Sequence, residues 1–411
     1  MKAVELFAGA GGLAMGVSLA GFTSEAVIEW DKWACDTIRE NQQRHCPLVM
    51  DWPLHEQDVR QFDFGQFEGK IDLVAGGPPC QPFSLGGKHR AYFDHRDMFP
   101  SMIDVIRKIK PKAFVIENVK GLTRVSLANY FQYITLQLTF PELIRRAKET
   151  WIEHLTRLER EKTSGKKHWF DYDVIYRVLN AADYGVPQRR ERVFIVGFRH
   201  DLSLRWSFPD TTHSLDALLH EQWITRRYWE RHSASPPNGD SPPERLKIRI
   251  SQLKKIQNPS SLDKPWLTVR DALQGLPNPH DEFLSKKCWN HIYQSGARAY
   301  PGHTGSPLDL PAKTLKAGDH GVPGGENMLV MPNGKVRYFT VRESARLQTF
   351  PDSYVFHGSW TETMRQLGNA VPVALGRIVS SSVAEKLLEF EHKNLLLALK
   401  ANPWKINHII H

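Results

Sequence analysis

Short apolar runs recur along the first half of the chain, at Lys2 to Phe7, Glu25 to Glu29, Ile71 to Ala75, Ala113 to Ile116, Val174 to Leu179 and Arg192 to Phe198. Each is rich in Val and Ile, and helical spacing fills the intervals between them. Strands without an apolar-polar alternation are buried on both faces, so the pattern predicts a mostly parallel sheet covered by helices, an α/β domain. Between Leu127 and Lys167 a charged stretch places Leu143, Ala147, Trp151 and Leu155 at every fourth residue, which predicts one long solvated helix.

Beyond Arg199 the periodicity is lost. Residues 200 to 340 collect most of the Pro, Gly, Ser, Trp and His clusters, including the run from Ser233 to Pro243, and read as a loop-rich second domain. Helical spacing returns at Val341 to Leu347 and from Met364 to Lys400. The division expected is therefore 1–200 for the first part of a main domain, 201–340 for an insertion, 341–400 for the returning part and 401–411 for a tail.

Composition narrows the class. A chain of 411 residues with 41% hydrophobic content can bury a large core. Its four cysteines include no C-x-x-C pair, which argues against a disulfide framework and against a metal centre and favours a reducing compartment. No stretch approaches a membrane span, and strand patterning begins at Lys2, so no leader is expected and the protein is placed in the cytoplasm. A net charge of +9 and a pI of about 9.2 suit a polyanionic partner.

Three clusters carry chemistry. In Gly76-Gly77-Pro78-Pro79-Cys80-Gln81-Pro82-Phe83-Ser84, three prolines stiffen a loop at the end of a strand and present one thiol, a candidate nucleophile. Phe7-Ala8-Gly9-Ala10-Gly11-Gly12-Leu13-Ala14 satisfies G-x-G-x-x-A between a strand and a helix, and Glu29 ends the next strand, where a carboxylate takes ribose hydroxyls. That combination denotes an adenosine-containing cofactor. Trp30 is either an adenine-stacking ring or a core aromatic, and Asp58 either an acceptor for the adenine amine or a capping acid. Glu117-Asn118-Val119 ends a further strand and should bring a carboxylate to the same sheet edge as Cys80. In Gln188-Arg189-Arg190-Glu191-Arg192, alternation puts Arg190 and Arg192 on one face, open to a phosphate or a base carbonyl. Arg192 can equally pair with Glu117 or Glu191.

Taken in order, these motifs together with Arg342-Glu343-Ser344-Ala345-Arg346-Leu347-Gln348 and Gly368-Asn369-Ala370-Val371-Pro372 closely resemble the DNA (cytosine-5)-methyltransferases of prokaryotic restriction-modification systems. The resemblance implies a Rossmann-like catalytic domain interrupted by a target-recognition domain, with S-adenosylmethionine as cofactor and double-stranded DNA as substrate. It assigns catalysis to Cys80, Glu117, Arg190 and Arg192. It assigns cofactor binding to Phe7, Gly9, Gly11, Gly12, Leu13, Glu29, Trp30, Asp58, Val59, Pro78, Phe99, Asn369, Ala370 and Val371. Ser84, Gly86, Lys88 and Arg96 fall in a loop that closes over a flipped base, and Lys313, Thr314 and Leu315 join them in DNA binding; Arg298, Lys316, His320 and Arg337 are candidates for readout. The protein is expected to act as a monomer on DNA, with a cognate restriction endonuclease as a functional partner. An RNA cytosine methyltransferase on this fold, a non-catalytic DNA-binding relative and a nicotinamide or flavin oxidoreductase are the other readings.

Overall fold

The computed structural model describes residues 1–79, 97–166, 168–236, 239, 241–255, 263–301, 304–317 and 327–401. Cys80, Ser84, Gly86, Lys88, Arg96 and His320 therefore lie outside the described residues.

Seven strands form the main sheet: β1 (Lys2–Leu6), β2 (Thr23–Glu29), β3 (Leu54–Glu56), β4 (Leu73–Gly76), β5 (Ala113–Val119), β6 (Tyr172–Asn180) and β7 (Glu191–Arg199). Their order is β3-β2-β1-β4-β5-β7-β6, and only β7 runs against its neighbours. The apolar runs expected as strands are all present; β3, which has no such run, is the addition. Alternate residues feed two cores. Val4, Leu6, Val74, Phe114 and Ile116 pack under α3 (Phe99–Ile109) and α4 (Ala128–Thr139). Ala3, Leu73, Ala75 and Val115 pack under α1 (Gly12–Leu19) and the terminal helix Val373–Ala401.

The charged stretch is two helices and not one. α4 ends at Thr139, just before Pro141, whose ring and missing N–H stop a helix, and α5 (Trp151–Ser164) starts from a Thr150–Glu153 capping box. α4 is core-forming: Phe131, Ile134 and Leu138 face the sheet, while Tyr133 and Leu136 pack with Leu155 and Leu158 of α5.

Chain return completes the main domain. Val341, Phe350, Tyr354, Leu367 and Val373 share a core with Ala14 and Met15 of α1 and Ile38 of α2 (Lys32–Gln43). α1 and the terminal helix approach so closely that a Cβ on Gly16 would lie 2.5 Å from the backbone of Gly376. Residues 201–340 hold separate small cores and helices of four to nine residues, such as Glu282–Ser285 and Leu215–Trp223, too short to leave a periodicity in the sequence. Among the described residues no helix is long and apolar enough to cross a membrane.

Candidate active site

Parallel pairing of β4 with β5 sets Gly76 against Ile116, so the chain leaving β4 passes beside Glu117. Glu117 Oε2 would lie 3.2 Å from a Cβ built on Gly77, and a side chain at 77 would push against the carboxylate. Asn118 donates from Nδ2 to Pro78 O at 2.8 Å and accepts Val119 N–H at 2.9 Å, tying the chain two residues before Cys80 to the end of β5. Met98 N–H donates to Pro79 O at 3.2 Å, holding the other flank of the segment that carries Cys80.

Across β5 and β7, Glu117 is opposite Phe194 and Val119 opposite Arg192, so Glu117 and Arg192 share a face as diagonal neighbours. Arg192 Nε stands 2.9 Å from Glu117 Oε1, yet among the described residues that oxygen is buried without an aligned hydrogen bond. Burial pushes the Glu117 carboxyl above the usual glutamate range, and Arg192 and Arg190 pull it back only in part. A buried carboxyl with a raised pKa and an oxygen left without an aligned partner is the arrangement expected of a group that acts on a ligand.

Arg190 does not share that opening. It is fully buried, donating from Nη1 to Leu315 O at 3.0 Å and from Nη2 to Gly368 O at 2.8 Å. The expectation that it faces the cleft is thus corrected: its guanidinium joins the entry of β7 to two distant segments. Gln188 works alongside, accepting Leu315 N–H at 3.0 Å and donating to Leu347 O at 3.3 Å. Gly368 belongs to the same junction, because a Cβ there would sit 2.2 Å from Ala317 N. Leu315, expected at DNA, is fully buried by this junction, while Thr314 donates its hydroxyl to Arg189 O at 2.7 Å and Lys313 reaches Thr304 Oγ1 at 2.8 Å. Arg337 is corrected as well. Both its terminal nitrogens bind Glu343, at 2.7 and 2.6 Å, in a pair buried away from any base.

At the ends of β1 and β2 the glycine turn is shaped by positive φ at Phe7 (55°), Gly9 (55°) and Gly11 (89°). Glu29 holds the turn, accepting Gly9 N–H at 2.7 Å on Oε2 and Trp30 and Asp31 N–H at 2.8 Å each on Oε1. Burial still pushes its carboxyl up. Trp30 is 71% exposed, which removes the core-aromatic reading. Asp58 accepts Arg60 N–H at 2.9 Å as a cap and pairs with the Arg60 guanidinium, which lowers its pKa, so the capping reading holds in this structure. Gly12 is used differently from expectation: a Cβ there would meet Val371 O at 2.2 Å, so it admits the returning chain. Leu13, Val59, Pro78, Ala370 and Val371 are buried, and Asn369 is exposed at the end of the helix Trp360–Asn369. Phe99 is fully buried in the core under β4 and β5, so it has no surface for a cofactor. Asn118 and Gln188 were legible as amides inside quoted motifs; nothing in the sequence names their partners.

A model of the family described as C-5 cytosine-specific DNA methylase matches residues 1–140 and 156–385, leaving only the α4–α5 connection and its flank and the end of the chain outside it. The type II methyltransferase M.PspPI of Psychrobacter sp. (strain TA137) is 32% identical over 389 residues, covering 93% of this chain and 79% of that protein. M.Eco47II of Escherichia coli is 31% identical over 391 residues, with the same coverage of 93% and 79%. Among solved structures, the Entamoeba histolytica methyltransferase EhMeth superposes with a TM-score of 0.54 at 15% identity over 94% of this chain and 98% of that one. The S. pombe Dnmt2 methyltransferase does so with a TM-score of 0.51 at 18% identity over 95% and 99%, and the two establish likeness of fold.

Proposed function

This chain belongs to the C-5 cytosine-specific DNA methylase family, and we propose that it is the modification enzyme of a type II restriction-modification system, with Cys80 as nucleophile and residues 201–340 reading the site. It is a DNA (cytosine-5)-methyltransferase that uses S-adenosylmethionine. Family membership sets aside the oxidoreductase reading.

The glycine turn fits that cofactor. A Cβ on Gly9 would meet nothing within 4 Å, which leaves open space beside the backbone, and the adjoining donors and acceptors are a carboxylate, Glu29, and an exposed indole, Trp30. Gly9, Gly11, Glu29, Trp30 and Asn369 would hold it, and when bound it supplies an electrophilic methyl group.

Carbon 5 of cytosine is a poor nucleophile, and the target must leave the stack before any side chain reaches it. The Cys80 thiolate uses its electron pair to form a sulfur–carbon 6 bond, and the carbon 5–carbon 6 double bond opens, its π pair making carbon 5 nucleophilic. Glu117, whose pKa burial raises, hydrogen-bonds ring N3 in its protonated form and stabilises the charge that develops; Arg192 stands beside it for the carbonyl oxygen. After methyl transfer a water takes the carbon 5 proton, the carbon 5–carbon 6 double bond re-forms and the thiolate departs. The observation that carries this reading is the Glu117 carboxyl, set over Gly77 and facing Arg192, at the base of the segment bearing Cys80. The protein acts in the cytoplasm as a monomer on double-stranded DNA, and a cognate endonuclease is its functional counterpart. Sequencing of methylated cytosines in DNA from cells expressing the protein tests the reading: modification at carbon 5 in one sequence context, lost with Cys80→Ser, is expected, and unmodified DNA overturns it.

A further inference from the structure

β6 is the sheet's outer strand, and among the described residues its backbone pairs only with β7. The register runs from Tyr172 opposite Arg199 to Asn180 opposite Glu191, and two flanking bonds extend it: Ala181 N–H to Arg190 O at 2.9 Å and His200 N–H to Asp171 O at 2.7 Å. In an antiparallel ladder the residues of a strand alternate between facing their partner and facing away. Odd-numbered residues of β6 therefore spend their backbone groups on β7, and Val174, Tyr176 and Val178 turn theirs outward. The strand is nine residues long, with Ile175 38% and Tyr176 54% exposed. An edge of this length with unmet donors and acceptors is a template for another strand.

We infer that β6 is the seam of a two-fold dimer of this chain formed away from DNA. The strand is self-complementary. With two copies antiparallel about an axis at Ile175, Val174 of one copy meets Tyr176 of the other in mutually hydrogen-bonded pairs. Ile175 then meets its own copy, and Asp173 meets Arg177 of the second copy, in the pairs whose side chains lie closest. The outward-facing groups require paired residues to be both odd or both even, and of the registers they allow only this one sets Asp173 across from Arg177. Both charges are on the surface. Asp173 holds His200 Nδ1 at 2.8 Å and the Arg177 guanidinium lies 5.3 Å from the Phe208 ring centre, so each is steadied by its own chain. One two-stranded seam buries less than a standard interface, so the dimer is a micromolar, concentration-dependent one. A closed isologous contact also blocks further edge-to-edge growth.

Sedimentation velocity on the full chain without DNA, from about 1 to about 100 micromolar, tests this directly. A monomer–dimer equilibrium is expected. Asp173→Arg should weaken it at least tenfold by setting Arg against Arg177 across the seam, and the double exchange Asp173→Arg with Arg177→Asp should restore it. Hydrogen exchange on the native protein gives a second readout, in which the amides of Val174, Tyr176 and Val178 gain protection as concentration rises. A monomer at every concentration, association indifferent to the single reversal, or no restoration in a folded double variant overturns the inference.

Discussion

Asn118 Nδ2 donates to Pro78 O at 2.8 Å, which couples the end of β5, carrying Glu117, to the loop carrying Cys80. Glu117 and the residues leading to Cys80 come from strands joined by a long crossover, and among the described residues this bond ties the two. A displacement of about 1 Å at a reacting centre can cost roughly a hundredfold in rate. Asn118→Ala should therefore lower the single-turnover methylation rate ten- to a hundredfold while calorimetry finds the cofactor affinity unchanged.

Glu117→Gln keeps the shape and removes the titratable proton. Because burial raises the Glu117 pKa, its protonated, donating form persists to higher pH than in an exposed glutamate and disappears as pH rises through the raised value. The wild-type pH–rate profile should accordingly fall on its alkaline side. In Glu117→Gln that limb should vanish, with the rate reduced by roughly a hundredfold or more.

Glu29→Ala removes the acceptor for three backbone N–H groups at once. Cofactor binding should weaken by about 1.5 to 3 kcal/mol, as for a hydrogen bond to a charged group. The melting temperature of the cofactor-free protein should drop as well, since the turn loses its anchor. DNA affinity measured without cofactor should stay constant, and an unchanged cofactor affinity would show that the ribose is held elsewhere.

Glu5 is buried in β1, accepts Ser24 Oγ–H at 2.7 Å on Oε1, and among the described residues has no partner for Oε2. Burial raises its pKa from 4.5 to about 7. The folded state thus keeps a proton that the unfolded chain releases above its ordinary value, and this stability, present below about pH 4.5, is lost as pH rises to about 7, up to roughly 3 kcal/mol. Glu5→Gln should flatten that dependence, so that urea denaturation at about pH 5 and about pH 8 gives closer stabilities than in the wild type.

Local pattern determined much of this protein: the apolar strand runs, the glycine turn with Glu29, the proline-stiffened loop and the acid ending β5 are each set by neighbours in the chain. What a side chain touches across the fold was decided elsewhere. Arg190 and Arg192 are two residues apart in one motif, yet one is sealed among the carbonyls of Leu315 and Gly368 and the other faces Glu117. Gly12 and Gly11 look alike in the turn, and only the return of Val371 gives Gly12 its separate task. The stretch after Leu127 looked solvated because the spacing read there, Leu143 to Leu155, belongs to its charged second half; Ala128–Thr139 carries no charged residue, Pro141 divides the stretch, and α4 finds its partners on the sheet and on α5. Periodicity records how a segment meets water. The choice of partner at a junction depends on which distant backbone arrives there, and that is settled only when the whole chain has packed.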